Sequence, residues 1–218
     1  MIENSTRVNE AFAPKGKMID RKSYILYIPS TLDRKRRFPL VVALHPAADA
    51  RCMTGLWKKS AHAYGWMVFA SKEFRNGQDM PRQLSEIAAL LNTDILVNYP
   101  VDRRAIIAAG FSGGGMGAHA LSFWFPGLIS AVVVNTGKMN DIFLELTDQY
   151  PEGKRAVFIA SSTDFRYTEM KRDCEILKKR RWETKWIEFK GGHMVAPPEY
   201  YDEAALWLKT RLYTGPDM

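Results

Sequence analysis

The chain has 218 residues, of which 46% are hydrophobic and 25% charged, and its formal net charge is +7. These fractions are ordinary for a globular protein and exclude a disordered, collagen-like or coiled-coil chain. The length predicts a single domain over residues 1–218, with a core large enough to be stable without disulfides or bound metals. Within it, residues 1–17 are expected to form an N-terminal extension.

Short β-branched or aromatic runs alternate along the chain with longer amphipathic ones. The predicted strands are, in chain order, Ser23–Ile28, Leu40–Leu44, Trp66–Ala70, Ala105–Ala109, Ser130–Val134, Ala156–Ala160 and Thr184–Phe189. The predicted helices cover residues 57–64, 81–96, 114–124, 141–149, 168–181 and 200–213. Several strand runs are apolar throughout, which is typical of strands buried on both faces of a parallel sheet. The pattern therefore predicts an α/β fold with a mostly parallel central sheet and helices on both of its faces.

A glycine-rich segment, Gly110–Gly114 (GFSGG), directly follows one of the apolar strand runs. It satisfies G-x-S-x-G between a buried strand and a helix, the pattern of a serine held on a sharp strand-to-helix turn. Glycines two residues before and after Ser112 leave room where the chain approaches itself closely. The N–H of Gly113, at the start of the helix, is directed towards a developing oxyanion. Ser112 is the predicted nucleophile.

Two other interpretations of this segment are open. It could be an ordinary turn that packs a helix close to a sheet, or a dinucleotide site, because Gly113, Gly115 and Ala118 also fit G-x-G-x-x-A. A dinucleotide site needs an acidic residue at the end of the next strand, and here that strand runs into Asn135. We therefore predict no cofactor.

A serine nucleophile needs a base, and the base needs an orienting carboxylate. Of the four histidines, His193 lies in a Gly- and Pro-rich loop after the last predicted strand, whereas His62 and His119 lie in predicted helices. Asp164 follows the preceding strand, which gives the chain order Ser…Asp…His. We predict His193 as the base and Asp164 as the acid, with Asp141 as the rival acid.

A second oxyanion donor should come from the loop that begins at His45. Pro46 has no N–H, so Ala47 carries the first amide able to assist Gly113, and His45 is expected to brace the loop. Three side chains in or beside these loops are candidates for binding the acyl or alcohol group, although each is as consistent with ordinary packing: Trp57, Phe165 and Met194.

Four segments together resemble the α/β-hydrolase esterases, most nearly the polyhydroxybutyrate-depolymerase and feruloyl- or acetyl-esterase type. They are residues 22–29 (KSYILYIP), 38–46 (FPLVVALHP), 101–115 (VDRRAIIAAGFSGGG) and 191–193 (GGH). The resemblance implies the α/β-hydrolase fold, with the same roles for Ser112, Asp164, His193, Ala47 and Gly113. Two features depart from the family pattern: Pro46 stands where glycine is usual, and Met194-Val195 replaces more polar or aromatic residues.

These observations predict a serine esterase without a lid domain, because strands and helices fill most of the chain between Ser112 and His193. Its substrate would be a small-molecule or polymer ester, with short-chain or aryl acyl groups favoured by an open cleft. A peptidase or thioesterase with the same residues, and a catalytically silent binding protein, are the alternatives.

Several expectations concern partners and compartment. The basic runs Arg34–Arg37 and Lys178–Arg181 lie in a turn-like stretch and at a helix end, so we expect no nucleic-acid partner. No apolar run approaches the length of a membrane span, and no ligand motif indicates a metal. The first residues lack the apolar centre of a signal peptide, so a secreted mature form and a cytoplasmic protein are both compatible with the sequence. The sequence leaves open the oligomeric state and whether Cys52 pairs with Cys174.

Overall fold

The protein is described by a computed structural model that covers residues 16–30 and 36–212. Its eight strands form one sheet in the order β1-β2-β4-β3-β5-β6-β7-β8. The strands are β1 Gly16–Asp20, β2 Tyr24–Pro29, β3 Phe38–Leu44, β4 Met67–Ser71, β5 Val101–Phe111, β6 Ala131–Asn135, β7 Arg155–Ala160 and β8 Glu183–Glu188. The pairs β1–β2 and β2–β4 are antiparallel, and all other pairs are parallel. The sheet is thus mostly parallel, as predicted.

The described residues form seven α-helices, which cover the two faces of the sheet. They are α1 Ala50–Tyr64, α2 Met80–Leu90, α3 Leu96–Asn98, α4 Gly113–Trp124, α5 Asp141–Leu144, α6 Tyr167–Lys179 and α7 Pro198–Lys209. Buried residues of α1 and α7 pack on one face, and those of α2, α4 and α6 pack on the other. Every residue of β4 and β6 is buried, because these central strands lie between two helical layers.

The predicted strands are all present, with ends shifted by a few residues. The sequence missed β1, whose residues are mostly exposed and carry no apolar alternation. Gly16 and Lys17 belong to this strand, so their assignment to the N-terminal extension is wrong; the rest of the extension lies outside the described residues. Arg34 and Lys35 of the first basic run also lie outside them.

Three predicted helices differ from the observed ones in where they begin or in how far the α-helical conformation continues. The first begins earlier, because the Asp49 carboxylate accepts a hydrogen bond from Cys52 N (2.9 Å) and so caps α1. The helix predicted over 81–96 changes to a π-helical turn at Leu91–Ile95. The helix predicted over 141–149 divides into α5 and a 3₁₀ turn, Thr147–Gln149.

The parallel strands all end at one edge of the sheet, and the predicted site residues follow those ends. Ser112 follows β5, Asp164 lies beyond β7, and His193 lies beyond β8. Parallel strands of an open α/β sheet commonly present their ligand-binding loops at this edge. Within the described residues, Cys52 and Cys174 are unpaired, no helix is long and apolar enough to cross a membrane, and no cluster of His, Cys, Asp and Glu could hold a metal.

Candidate active site

Ser112 occupies a strained turn between β5 and α4. Its backbone angles are φ 52° and ψ −119°, and residues other than glycine rarely adopt such a positive φ. The turn is held by three hydrogen bonds: Ser112 N donates to Asn135 O (2.9 Å), and Ser112 O accepts from Gly115 N (2.9 Å) and Met116 N (3.2 Å). The backbone of Ser112 is therefore firmly held in a conformation that is strained for a residue with a side chain.

The glycines on either side of Ser112 are required by close contacts. A Cβ on Gly110 would overlap the backbone of Gly114, and a Cβ on Gly114 would overlap the backbone of Leu44 at the end of β3. No flexible side chain is involved, so the obstruction could not be relieved by a rotamer change. The G-x-S-x-G pattern thus has a packing reason on both sides of the serine.

The structure brings Ser112, His193 and Asp164 together in one line of hydrogen bonds. Ser112 Oγ lies 2.7 Å from His193 Nε2, and His193 Nδ1 lies 2.8 Å from Asp164 Oδ2. The Asp164 side chain is fully buried, whereas the His193 side chain is 26% exposed. A neutral imidazole held in this way has Nδ1–H donating to the carboxylate and Nε2 free to accept the serine proton.

Local contacts hold the carboxylate of Asp164. Its other oxygen, Oδ1, accepts a hydrogen bond from Arg166 N (2.6 Å). The rival acid is differently placed: Asp141 lies in the first turn of α5, where Oδ1 accepts from Lys138 Nζ (2.6 Å). The structure therefore pairs His193 with Asp164 and engages Asp141 elsewhere.

The loop that carries His193 is fastened to the loop that carries Asp164. The hydroxyls of Ser161 and Thr163 both donate to the carbonyl oxygen of Gly191. The His193 ring also packs between the rings of Phe111 and Phe165, with centroid distances of 5.4 and 4.5 Å. The imidazole is thus oriented by packing as well as by its hydrogen bonds.

The two predicted oxyanion donors differ in availability. Gly113 N–H lies in the first turn of α4 and has no hydrogen-bond acceptor among the described residues. Ala47 N–H donates to His45 Nδ1 at 3.2 Å. Burial lowers the pKa of His45, which favours the neutral ring that can accept this bond. His45 therefore braces its loop, as predicted, but it does so by engaging the Ala47 amide.

Two of the three candidate substrate-binding side chains lie at the surface beside His193. Phe165 is 68% exposed and Met194 is 48% exposed. The prediction for Trp57 is wrong, because this side chain is fully buried and packs edge-on against Tyr201 of α7 (centroids 5.4 Å apart). Trp57 belongs to the core between α1 and α7, where a substrate has no access.

Asn135, which the sequence analysis did not single out, lies in the core beneath the loops that carry Ser112 and His193. It is fully buried at the end of β6, and its Oδ1 accepts from Ala196 N (2.9 Å) and from Tyr201 Oη (3.0 Å). Its Nδ2 donates to Ile159 O of β7 (3.1 Å), and its backbone oxygen accepts from Ser112 N. A polar amide ending an apolar strand is the sequence signal that could have indicated this role.

The remaining histidine of interest, His119, is separate from this site. It is fully buried in α4, and its Nδ1 lies 3.2 Å from Tyr150 Oη. Burial lowers the pKa of His119 to about 3. The ring is therefore a neutral core residue, which agrees with its predicted structural role.

Solved esterases and serine hydrolases are similar to this structure over most of the chain. A thermostable esterase superposes with a TM-score of 0.67 at 17% identity, over 90% of this chain and 62% of that one. Est1E from Butyrivibrio proteoclasticus gives a TM-score of 0.66 at 14% identity, over 92% and 99%. The fluorophosphonate-binding serine hydrolase F of Staphylococcus aureus gives 0.63 at 12% identity, over 93% and 99%.

The fold is that of the α/β hydrolases. The prediction of this fold, made from the sequence, is confirmed. No family model and no curated protein matches the sequence. The similarity to solved structures therefore concerns the α/β-hydrolase fold, and the chemistry depends on the residues of the site.

Proposed function

We propose that this protein is a serine hydrolase that cleaves carboxylic esters. The supporting observation is the continuous contact from Ser112 Oγ to His193 Nε2 (2.7 Å) and from His193 Nδ1 to Asp164 Oδ2 (2.8 Å). A nucleophile, a base and a buried carboxylate at these distances are the parts that acyl transfer through a serine requires. The α/β-hydrolase fold agrees with this assignment.

Acylation follows from the geometry. Ser112 Oγ forms a bond to the ester carbonyl carbon while His193 Nε2 takes the hydroxyl proton and the carbonyl π electrons move to the oxygen. Asp164 holds the ring and stabilises its charged form. The C=O bond then re-forms, the bond to the alkoxy oxygen breaks, and His193 gives its proton to the departing alcohol.

Deacylation repeats these steps with water. His193 takes a proton from water as the water oxygen attacks the acyl carbon. The bond from the acyl carbon to Ser112 Oγ then breaks, His193 gives its proton to Oγ, and the carboxylic acid is released. In both halves the negative oxygen is stabilised by N–H donors at Gly113 and Ala47. Because Ala47 N–H also donates to His45 Nδ1, an oxyanion must compete for it.

The exposed surroundings of His193 favour substrates whose acyl group is small enough not to require a deep pocket. Phe165 and Met194 present exposed apolar surface close to His193 in the same part of the fold, suited to an aryl or short acyl group or to one displayed on a polymer. The chain between Ser112 and His193 is made of α4, β6, α5, the 3₁₀ turn, β7, α6 and β8. These elements belong to the sheet and its helical layers, which leaves the catalytic edge open.

A single pair of assays tests this function. The wild type should hydrolyse 4-nitrophenyl acetate, and a fluorophosphonate should add one equivalent of mass to the peptide that contains Ser112. Ser112→Ala should lose both, while Ser162→Ala, which changes an exposed serine near Asp164, should retain both. Absence of turnover and labelling in the wild type would instead support a silent binding protein. A thioester and a peptide with the same acyl group would show whether esters are preferred.

A further inference from the structure

We propose that the side-chain amide of Asn76 is a further catalytic group, a hydrogen-bond donor to the oxyanion of the Ser112 reaction. The inference rests on the function proposed above. The site has few free hydrogen-bond donors for the oxyanion. Gly113 N–H is free in the described structure, but Ala47 N–H is already engaged by His45 Nδ1 (3.2 Å). Because only one of the two backbone donors is free, a further hydrogen-bond donor would add most to the stabilisation of the oxyanion.

The amide of Asn76 lies directly against Gly113. A Cβ built on Gly113 would overlap Asn76 Oδ1 and would lie 2.7 Å from Asn76 Cγ and 2.9 Å from Asn76 Nδ2. Only glycine at position 113 allows the amide to come this close to the first turn of α4. Gly113 therefore has a second function, because its missing side chain leaves the space that the Asn76 amide occupies at the first turn of α4.

The loop that presents Asn76 is held through its backbone. Asn76 N donates to Pro46 O (2.8 Å), which ties this loop to the loop of Ala47. The neighbouring residue, Arg75, is held at both backbone groups by the buried side chain of Gln83: Arg75 N donates to Oε1 (2.7 Å), and Nε2 donates to Arg75 O (3.2 Å). The position of Asn76 is thus determined by groups other than its own side chain.

The Asn76 amide itself has no hydrogen-bond partner among the described residues, and the residue is exposed. Its Oδ1 and Nδ2 exchange places by rotation about one side-chain bond. A negative oxygen forming at Gly113 N–H would attract Nδ2 and repel Oδ1, so the rotamer that donates is the favoured one in the transition state. A donor that strengthens as charge develops raises kcat rather than substrate affinity.

Hydrolysis of 4-nitrophenyl acetate by four proteins tests the proposal: wild type, Asn76→Ala, Asn76→Asp and the control Gln78→Ala. Loss of one oxyanion donor should lower kcat of Asn76→Ala by about 10²-fold with little change in KM. Asn76→Asp has nearly the same shape but a charge that repels the oxyanion, so it should be impaired at least as much. Gln78→Ala removes an exposed amide from the same loop and should behave as the wild type.

Two outcomes would overturn the proposal. One is Asn76→Ala with kcat within a few-fold of the wild type; the other is Asn76→Asp with higher activity than Asn76→Ala, which would indicate that only the shape of the side chain matters. Thermal unfolding of the variants should match the wild type, because the loop is held by backbone groups. If the wild type itself shows no Ser112-dependent turnover, both proposals fall. If turnover depends on Ser112 but not on Asn76, only the Asn76 assignment falls.

Discussion

At the scale of single residues, the choice between two aspartates depends on where each carboxylate finds its partner. The Asp141 carboxylate accepts a hydrogen bond from Lys138 Nζ, and the same Nζ lies 3.2 Å from Glu169 Oε1. Asp141 therefore belongs to a cluster of charged residues that joins α5 to α6. Asp164 is fully buried and contacts His193 Nδ1 and Arg166 N. A buried carboxylate beside an imidazole fixes the tautomer and stabilises the imidazolium that forms during reaction.

We therefore expect Asp164→Asn to lower kcat for 4-nitrophenyl acetate by roughly 10³- to 10⁴-fold. The amide preserves shape but can no longer favour the tautomer with a proton on Nδ1. Asp141→Asn should retain nearly full activity and serves as the control, since it removes a charge of the same sign from the same edge of the sheet. Steady-state kinetics on both variants checks this. The reverse ranking would move the acid to the loop after β6.

At the scale of elements, Asn135 joins three parts of the site that come from distant parts of the chain. Through backbone and side chain it contacts the turn after β5, the strand β7 that leads to Asp164, and the loop between His193 and α7. Both polar atoms of its side chain have hydrogen-bond partners, and the residue is fully buried. Such a satisfied buried network specifies one arrangement of its neighbours.

Replacement Asn135→Ala should lower the free energy of unfolding by about 3 kcal/mol, because Ala196 N, Tyr201 Oη and Ile159 O would lose a partner inside the core. The rate of fluorophosphonate labelling at Ser112 should fall as well, since the loop that carries His193 is no longer tied to β6. Urea unfolding and labelling kinetics measure the two effects.

The control is Asn140→Ala, which removes a cap from α5 in which Oδ1 accepts from Ile142 N at 3.3 Å. Its cost should stay near that of an ordinary exposed cap, about 1 kcal/mol or less. Wild-type stability in Asn135→Ala would show that the network of Asn135 adds nothing to the packing around it.

At the scale of the whole molecule, the sheet accounts for the open character of the site. The strands from β3 to β8 run in parallel and deliver the loops of Ala47, Ser112, Asp164 and His193 to one edge. Two apolar side chains at this edge, Phe165 and Met194, are exposed. A long acyl chain would therefore leave most of its length in water.

For a series of 4-nitrophenyl esters from two to sixteen acyl carbons, we expect kcat/KM to rise only up to about four to six carbons. Each CH₂ that is truly buried contributes about 0.8 kcal/mol, and an open site buries few of them. The series is measured below the concentration at which micelles form. A steady rise to the longest chain, or a jump in rate at a lipid interface, would reveal a deep tunnel or a lid and contradict this view of the site.

Features that depend on neighbouring residues could be predicted from the sequence alone. The fully apolar runs predicted a buried parallel sheet, and G-x-S-x-G after a strand predicted the turn at Ser112, because periodicity and glycine requirements are local properties. Strand β1 was not predicted for the same reason, because its mostly exposed residues carry no apolar pattern.

Features that require distant parts of the chain to meet became visible in the folded structure. Asp164 rather than Asp141 lies beside His193, Trp57 is enclosed between α1 and α7, and the amide of Asn76 lies against Gly113. Such distances follow from strand order, register and the path of each loop. Many local sequences share one pattern of apolar and polar residues, so the pattern cannot specify which side chains meet across the edge of the sheet.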